Sequence, residues 1–151
     1  MPVIVIGADT TTGLGITEKL LTTAGEVRAF VTDPAAAGAL KARGVKAALG
    51  DVSDASHVAG AAAGCFAAVL VTEAACDARE RAFAADSASV LAGWTAALEA
   101  SSVRRAIWVA GAEATPPKES RPEHAVVPTE GRPIADVVAE VARLEGAAGI
   151  P

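Results

Sequence analysis

Val3-Ile4-Val5-Ile6-Gly7-Ala8-Asp9-Thr10-Thr11-Thr12-Gly13 stands at the start of the chain, and its reading decides the fold. Four consecutive apolar residues predict a strand covered on both faces, because a half-exposed strand would alternate apolar with polar. A turn bounded by Gly7 and Gly13 follows, and a helix opens out of it. Glycine lets the backbone approach a phosphate closely, and the helix N-terminus adds N–H groups and a positive dipole end. Gly7 suits the tight turn and Gly13 the close packing of helix on sheet. The hydroxyls of Thr10, Thr11 and Thr12 can donate to phosphate oxygens, with Asp9 beside them. The turn is therefore expected to bind a dinucleotide.

The rest of the chain repeats the alternation. Apolar runs at Val27–Val31, Val45–Leu49, Ala67–Thr72 and Ala106–Ala110 predict four more buried strands. Between them, residues 13–24, 34–42, 54–63 and 78–100 read as helices. Pro34 suits a first helical turn, and Ser53 is expected to cap the third helix. In 78–100 the positions Phe83, Val90, Leu91, Trp94 and Leu98 form one apolar stripe, expected to pack in the core and offering a homodimer face. A last helix is expected over 133–146, with Val137, Val138 and Val141 on its inner face. Residues 111–132, holding Pro116, Pro117, Pro122 and Pro128, are expected to be an irregular loop. Alternating strands and helices force parallel crossovers. The expected fold is an α/β, three-layer, doubly wound parallel sheet of Rossmann type, strand order 3-2-1-4-5, as a single domain over 1–151.

Composition narrows function. Of 151 residues 38 are alanine, which suits helices lying close on a sheet. A net charge of -5 argues against nucleic acid as the main partner. No apolar stretch reaches the ~20 residues that span a bilayer, so no membrane partner is expected. Cys65 and Cys76 make neither a disulfide framework nor a zinc pair, and a cytoplasmic location with ordinary buried or half-buried thiols is expected. His57 and His124 have no metal-ligand spacing with them, so no metal site is expected. There is no tyrosine.

The order of motifs resembles the atypical short-chain dehydrogenase/reductases, particularly the NmrA-like NAD(P)-binding type. Gly7 to Gly13 is similar to that family's first turn, G-A-T-G-x-T-G. Gly50-Asp51-Val52-Ser53-Asp54 resembles its G-D-x-x-D after the third strand, and Ala61 to Val69 its entry to the fourth. Val103 to Val109 resembles its fifth strand, and Glu140 to Pro151 the helix leading to a sixth. The resemblance implies that Gly7, Thr10 and Gly13 face the pyrophosphate of NAD or NADP. Thr32 and Asp33 would then lie near the adenosine ribose, Asp51 and Val52 at the adenine, and Thr72 with Glu73 on the nicotinamide side.

The departures shape the functional expectation. Thr10 replaces the middle glycine, and its Cβ would crowd the pyrophosphate. Thr32 stands where the family carries an arginine, so no clamp for a 2′-phosphate is expected there. Asp33 could instead hold a ribose hydroxyl, favouring NAD, or simply cap the second helix. The family's Tyr and its partner Lys are missing, and no Ser follows Ala110. The chain also stops where a sixth strand is expected to start. Dinucleotide binding or sensing without turnover is the leading expectation. The alternatives are a cofactor-free interaction or regulatory domain, and a reductase with non-standard catalytic residues. A receiver-like phosphoacceptor could use Asp9, Asp51 and Thr72, but Ala110-Gly111 stands where it needs Lys. No G-x-S-x-G elbow supports a hydrolase.

Overall fold

The β-branched runs become strands because each can bury both faces. A computed structural model describes residues 1–77, 79 and 81–151. β1 (Val3–Ile6), β2 (Val27–Val31), β3 (Lys46–Leu49), β4 (Ala67–Val71), β5 (Arg105–Ala110) and β6 (Glu123–Pro128) form one sheet, order β3-β2-β1-β4-β5-β6. All pairings are parallel; Val3 is in register with Val27 on one side and Ala67 on the other. The expected order 3-2-1-4-5 is met, with a sixth strand added. β3 at the edge, not beside β1, is not the arrangement of the receiver-type sheet.

The described residues form the helices α1 (Thr11–Thr23), α2 (Pro34–Ala42), α3 (Ala55–Ala62), the short α4 (Glu73–Cys76) and α5 (Ser87–Ala100) between strands, and α6 (Ile134–Glu145) after β6. Successive strand residues point to opposite faces, so β1, β2, β4 and β5 each feed two cores. Ile4, Ile6, Phe30, Leu70 and Trp108 pack under α3 and α5. Val3, Val5, Val31, Val69 and Ile107 pack under α1, α2 and α6. The indole rings of Trp94 and Trp108 stack at 6.5 Å in the first core. Both are fully buried, so each indole N–H needs an acceptor. Trp94 donates to the Val52 carbonyl and Trp108 to Glu119.

Several expectations are corrected. The helix expected over 78–100 begins only at Ser87, where Asp86 caps it by accepting from Ser89 N–H. Ala78 and Glu80, also in that expected helix, lie outside the described residues. Phe83, expected in the core, is 68% exposed, whereas Val90, Leu91, Trp94 and Leu98 are buried inside the chain's own core. The stretch 111–132 is not all loop, because residues 123–128 form β6. The sixth strand therefore precedes α6 and does not start where the chain stops. The third helix is capped by Asp54, which accepts from His57 N–H, and not by Ser53. Among the described residues no helix is long and apolar enough to cross a membrane.

Candidate dinucleotide site

The site is built at the C-terminal ends of β1, β2, β4 and β5, where the strand order reverses direction about β1 and β4. Open parallel sheets leave a crevice at such a point. Gly7 sits at φ +89°, a conformation that side chains disfavour, and a Cβ there would lie 2.8 Å from that of Ala74. A Cβ on Gly13 would lie 2.0 Å from the Gly7 carbonyl oxygen. Both glycines are required by the turn itself.

Thr10 is the N-cap of α1. Its Oγ1 donates to the Gly7 carbonyl at 2.7 Å and accepts from Gly13 N–H at 3.0 Å. Its hydroxyl thus closes the turn from within and is not directed to a phosphate. Helix geometry leaves the N–H groups of the first turn without intrahelical partners. Gly13 is served by Thr10, and no hydrogen bond from the N–H of Thr11 or Thr12 is found among the described residues. These two amides remain available at the helix N-terminus.

Asp9 has a role that its place in the motif does not disclose. Its Oδ2 accepts from the N–H groups of Thr32 and Asp33, at 2.9 and 3.1 Å, stapling the turn to the end of β2. Its Oδ1 meets the Arg79 guanidinium at 2.7 Å. Burial pushes the Asp9 carboxyl up, but Arg79 and the two N–H groups outweigh it and hold the group below its ordinary value. Arg79 also pairs with Asp77 and lies 3.4 Å from Thr32 Oγ1. An arginine therefore does stand beside Thr32, delivered by the segment after α4 and not by the residue after β2. It fell within the stretch expected to be helix. Asp86 with Ser89, a capping pair, is the signal that could have set the helix start later.

Asp33 accepts from Ala35 N–H and caps α2, which is the structural alternative for that residue. Asp51 lies at the end of β3, where its Oδ1 accepts from Ser53 and its Oδ2 from Ala82 N–H. Phe83 N–H donates to Ser53 Oγ, so the segment around Ala82 runs along the Asp51 edge of the crevice. Val52 is fully buried, and its carbonyl accepts from the buried Trp94 indole N–H. Thr72 is buried as well. It ties β4 to β5 by donating to the Val109 carbonyl and accepting from Gly111 N–H.

Beyond Thr72 a cavity of about 270 Å³ opens, sharing Thr12 with the glycine turn. Its wall includes Thr72, Cys76, Glu73, Glu113 and Glu130. Burial raises the Cys76 thiol, so it keeps its proton. Cys65 is buried, as expected. His124, expected in a solvated loop, is on β6 with Nδ1 2.6 Å from the Arg121 carbonyl.

A model of the NAD(P)H-binding family matches residues 7–143. The chain belongs to that family. It is the atypical short-chain dehydrogenase/reductase type that the order of motifs resembles, and the turn, the crevice and the sheet order now have one explanation, a nicotinamide dinucleotide. No curated protein sequence matches the chain. Among solved structures it is similar to ChuY, an anaerobillin reductase from Escherichia coli O157:H7, with 18% identity and a TM-score of 0.73. That match covers 99% of this chain and 92% of the other. It is also similar to an NADPH-dependent quinone oxidoreductase from E. coli complexed with NADPH, with 22% identity, TM-score 0.59 and 98% and 46% coverage. A third likeness is to the Citrobacter sp. triphenylmethane reductase complexed with NADP(H), with 18% identity, TM-score 0.61 and 94% and 45% coverage. The chain thus spans nearly all of the first and under half of the other two. At these identities the likeness shows the fold.

Proposed function

We propose that residues 1–151 act as one NADP(H)-binding domain of a reductase, with a small acceptor seated in the cavity beyond Thr72. The observation that carries this reading is that cavity. It shares Thr12 with the glycine turn and opens over β4 and β5, so a dinucleotide laid on the turn would bring its nicotinamide to a space with room for a second molecule. In this reading Gly7, Gly13 and the amides of Thr11 and Thr12 hold the pyrophosphate. Asp51 and the Val52 backbone border the adenine, and Thr72 backs the nicotinamide. NADPH, when bound, supplies a hydride; the chain's residues position it and line the space around it.

NADP is favoured over NAD, reversing the sequence expectation. Asp33 is engaged in capping α2, while Arg79 places a guanidinium beside Thr32. Arginine matches a phosphate in both charge and geometry. The structural likeness to two proteins solved with NADPH or NADP(H) lends support. Calorimetric titration tests the reading. NADPH should bind about tenfold more tightly than NADH, the scale of one charge-assisted contact, and Arg79→Ala should equalise them. Absence of both heat and thermal stabilisation at millimolar NADPH would overturn it. A second reading, cofactor sensing without turnover, is favoured by the lack of tyrosine. It predicts binding with no NADPH oxidation by any acceptor.

A further inference from the structure

The chain has three Phe and two Trp, and the fold accounts for all of these rings except one. Phe30, Trp94 and Trp108 are fully buried. Phe66 lies under the Arg105 guanidinium, 5.1 Å from its ring centroid, at the end of the sheet away from the crevice. Phe83 is 68% exposed and forgoes the gain that burial would bring. Its ring is not what holds its segment in place. The backbone does that. Ala82 N–H donates to Asp51 Oδ2 at 2.6 Å, and Phe83 N–H donates to Ser53 Oγ at 3.0 Å. Both acceptors stand just after β3, at the crevice edge that borders the adenine in the reading above. Asp51 is engaged through both its oxygens, since its Oδ1 accepts from the N–H and the hydroxyl of Ser53, at 2.8 and 2.6 Å. The Ser53 hydroxyl gives its proton to Asp51 and accepts from Phe83 N–H, so one chain of bonds fixes the carboxylate and Phe83 together. Val52, between Asp51 and Ser53, has its side chain in the core.

We infer that Phe83 takes the adenine base of the dinucleotide by stacking on its face, and that Asp51 holds the Phe83 segment and does not read the base. This rests on the dinucleotide reading above. A ring fixed by its own backbone and left in solvent can stack without giving up packing elsewhere, whereas Phe30, Trp94 and Trp108 would have to leave the core. The base in turn covers apolar surface that otherwise stays in water. Stacking also sets what is recognised. Every base has a π-face, so an aromatic platform tolerates changes at the base edge. A carboxylate reading adenine would instead depend on the N6 amine as donor, and the Asp51 oxygens already serve Ser53 and Ala82. The adenosine half is thus held by two separable groups. The Arg79 guanidinium beside Thr32 answers to the 2′-phosphate, and Phe83 answers to the base whether or not that phosphate is present.

The test is calorimetry on the intact chain with NADPH, NADH and the hypoxanthine analogue of NADPH, which lacks the N6 amine. NADPH and its analogue should bind within about twofold of each other, less than the loss of one hydrogen bond would bring. Phe83→Ala should weaken all three ligands about tenfold, the scale of one base–aromatic stack. It should leave the ratio of NADPH to NADH affinity as it is, which Arg79→Ala does not. Phe83→Trp should restore the affinity. Urea unfolding without ligand should be the same for Phe83→Ala and the parent chain, because an exposed ring contributes little to the fold. Near-ultraviolet dichroism of the stacked Trp94 and Trp108 reports that the variant is folded; if it is not, Phe83→Leu, which keeps apolar bulk without a ring, carries the same comparison. Unchanged NADPH affinity in the variant overturns the inference and leaves the dinucleotide reading standing. If sedimentation then shows that the variant has dissociated a dimer, the ring belongs to a second copy of the chain, and the inference is overturned all the same. An analogue bound about tenfold more weakly than NADPH also overturns it, because the N6 amine is then read by a hydrogen bond. Failure to bind NADPH overturns both.

Discussion

Thr10 shows how one side chain changes meaning between motif and structure. As a letter in the motif it is a bulky substitute for glycine. In the fold it is the cap of α1, bonded at both ends of the turn. Removing a threonine cap costs about 1 kcal/mol. Thr10→Ala should therefore lower the unfolding free energy measured in urea by that amount and move the midpoint down accordingly. Gly13→Ala should cost more, about 2–3 kcal/mol, because its Cβ would have to displace the Gly7 carbonyl. Equal midpoints for the two variants would refute the account of the turn. Arg79 carries the complementary lesson. Its partner Asp9 is 70 residues away in the chain, and no local pattern joins them.

At the scale of elements, the strands with continuous apolar runs were legible and the one without was hidden. β6 reads Glu123-His124-Ala125-Val126-Val127-Pro128, of which only Val127 is buried. An edge strand needs to cover only one side, and a terminal proline is tolerated there. Its placement depends instead on Arg105 of β5, which is 1% exposed. That guanidinium meets Glu123 of β6 at 2.5 Å and donates to the carbonyls of Leu144, Glu145 and Ala147 at the end of α6. It thus closes β6 and the C-terminus of α6 together, satisfying carbonyls a helix end leaves open. Arg105→Met keeps the apolar bulk and removes these bonds. It should raise amide hydrogen exchange at the end of α6 and in β6, leaving β1 and β2 protected. Uniform loss of protection would mean that Arg105 holds the whole sheet and not this corner. α5 illustrates the opposite error. Its stripe was legible, but periodicity carried the helix back past Asp86, whose side chain ends it by capping.

Across the whole molecule, several carboxylates are held below their ordinary values by the fold. Burial pushes Asp51 up, but Ser53 and the Ala82 N–H outweigh it; Ser89 lowers Asp86, and Arg105 lowers Glu123. Asp9 behaves in the same way. A carboxyl depressed by folding stabilises the native state above its unfolded pKa, and that contribution is lost as pH falls through the folded value. Stability in urea should therefore begin to fall as pH nears the ordinary carboxylate range of about 4, and go on falling below it. Lys46 and Arg28 likewise lower Glu26; Glu145, raised by burial, works in the other direction, but it is one group against five. Stability that holds constant from pH 5 to pH 3, on the scale of about two units spanning that range, would contradict this balance. Asp9→Asn should remove part of the slope.

The layers, the central strand order and the glycine turn were readable from residue order alone. Buried strands, helix stripes and tight turns leave short-range signatures, because each is specified by neighbours a few residues apart. The match of the family model over residues 7–143 agrees with that reading. Tertiary packing set what the crevice contains. It placed Arg79 against Asp9 and Thr32, turned Asp33 to its own helix, and drew Glu73, Glu113 and Glu130 around one cavity. Those groups are far apart in the chain, and long-range proximity of charged side chains follows from how the elements pack, which no local periodicity records.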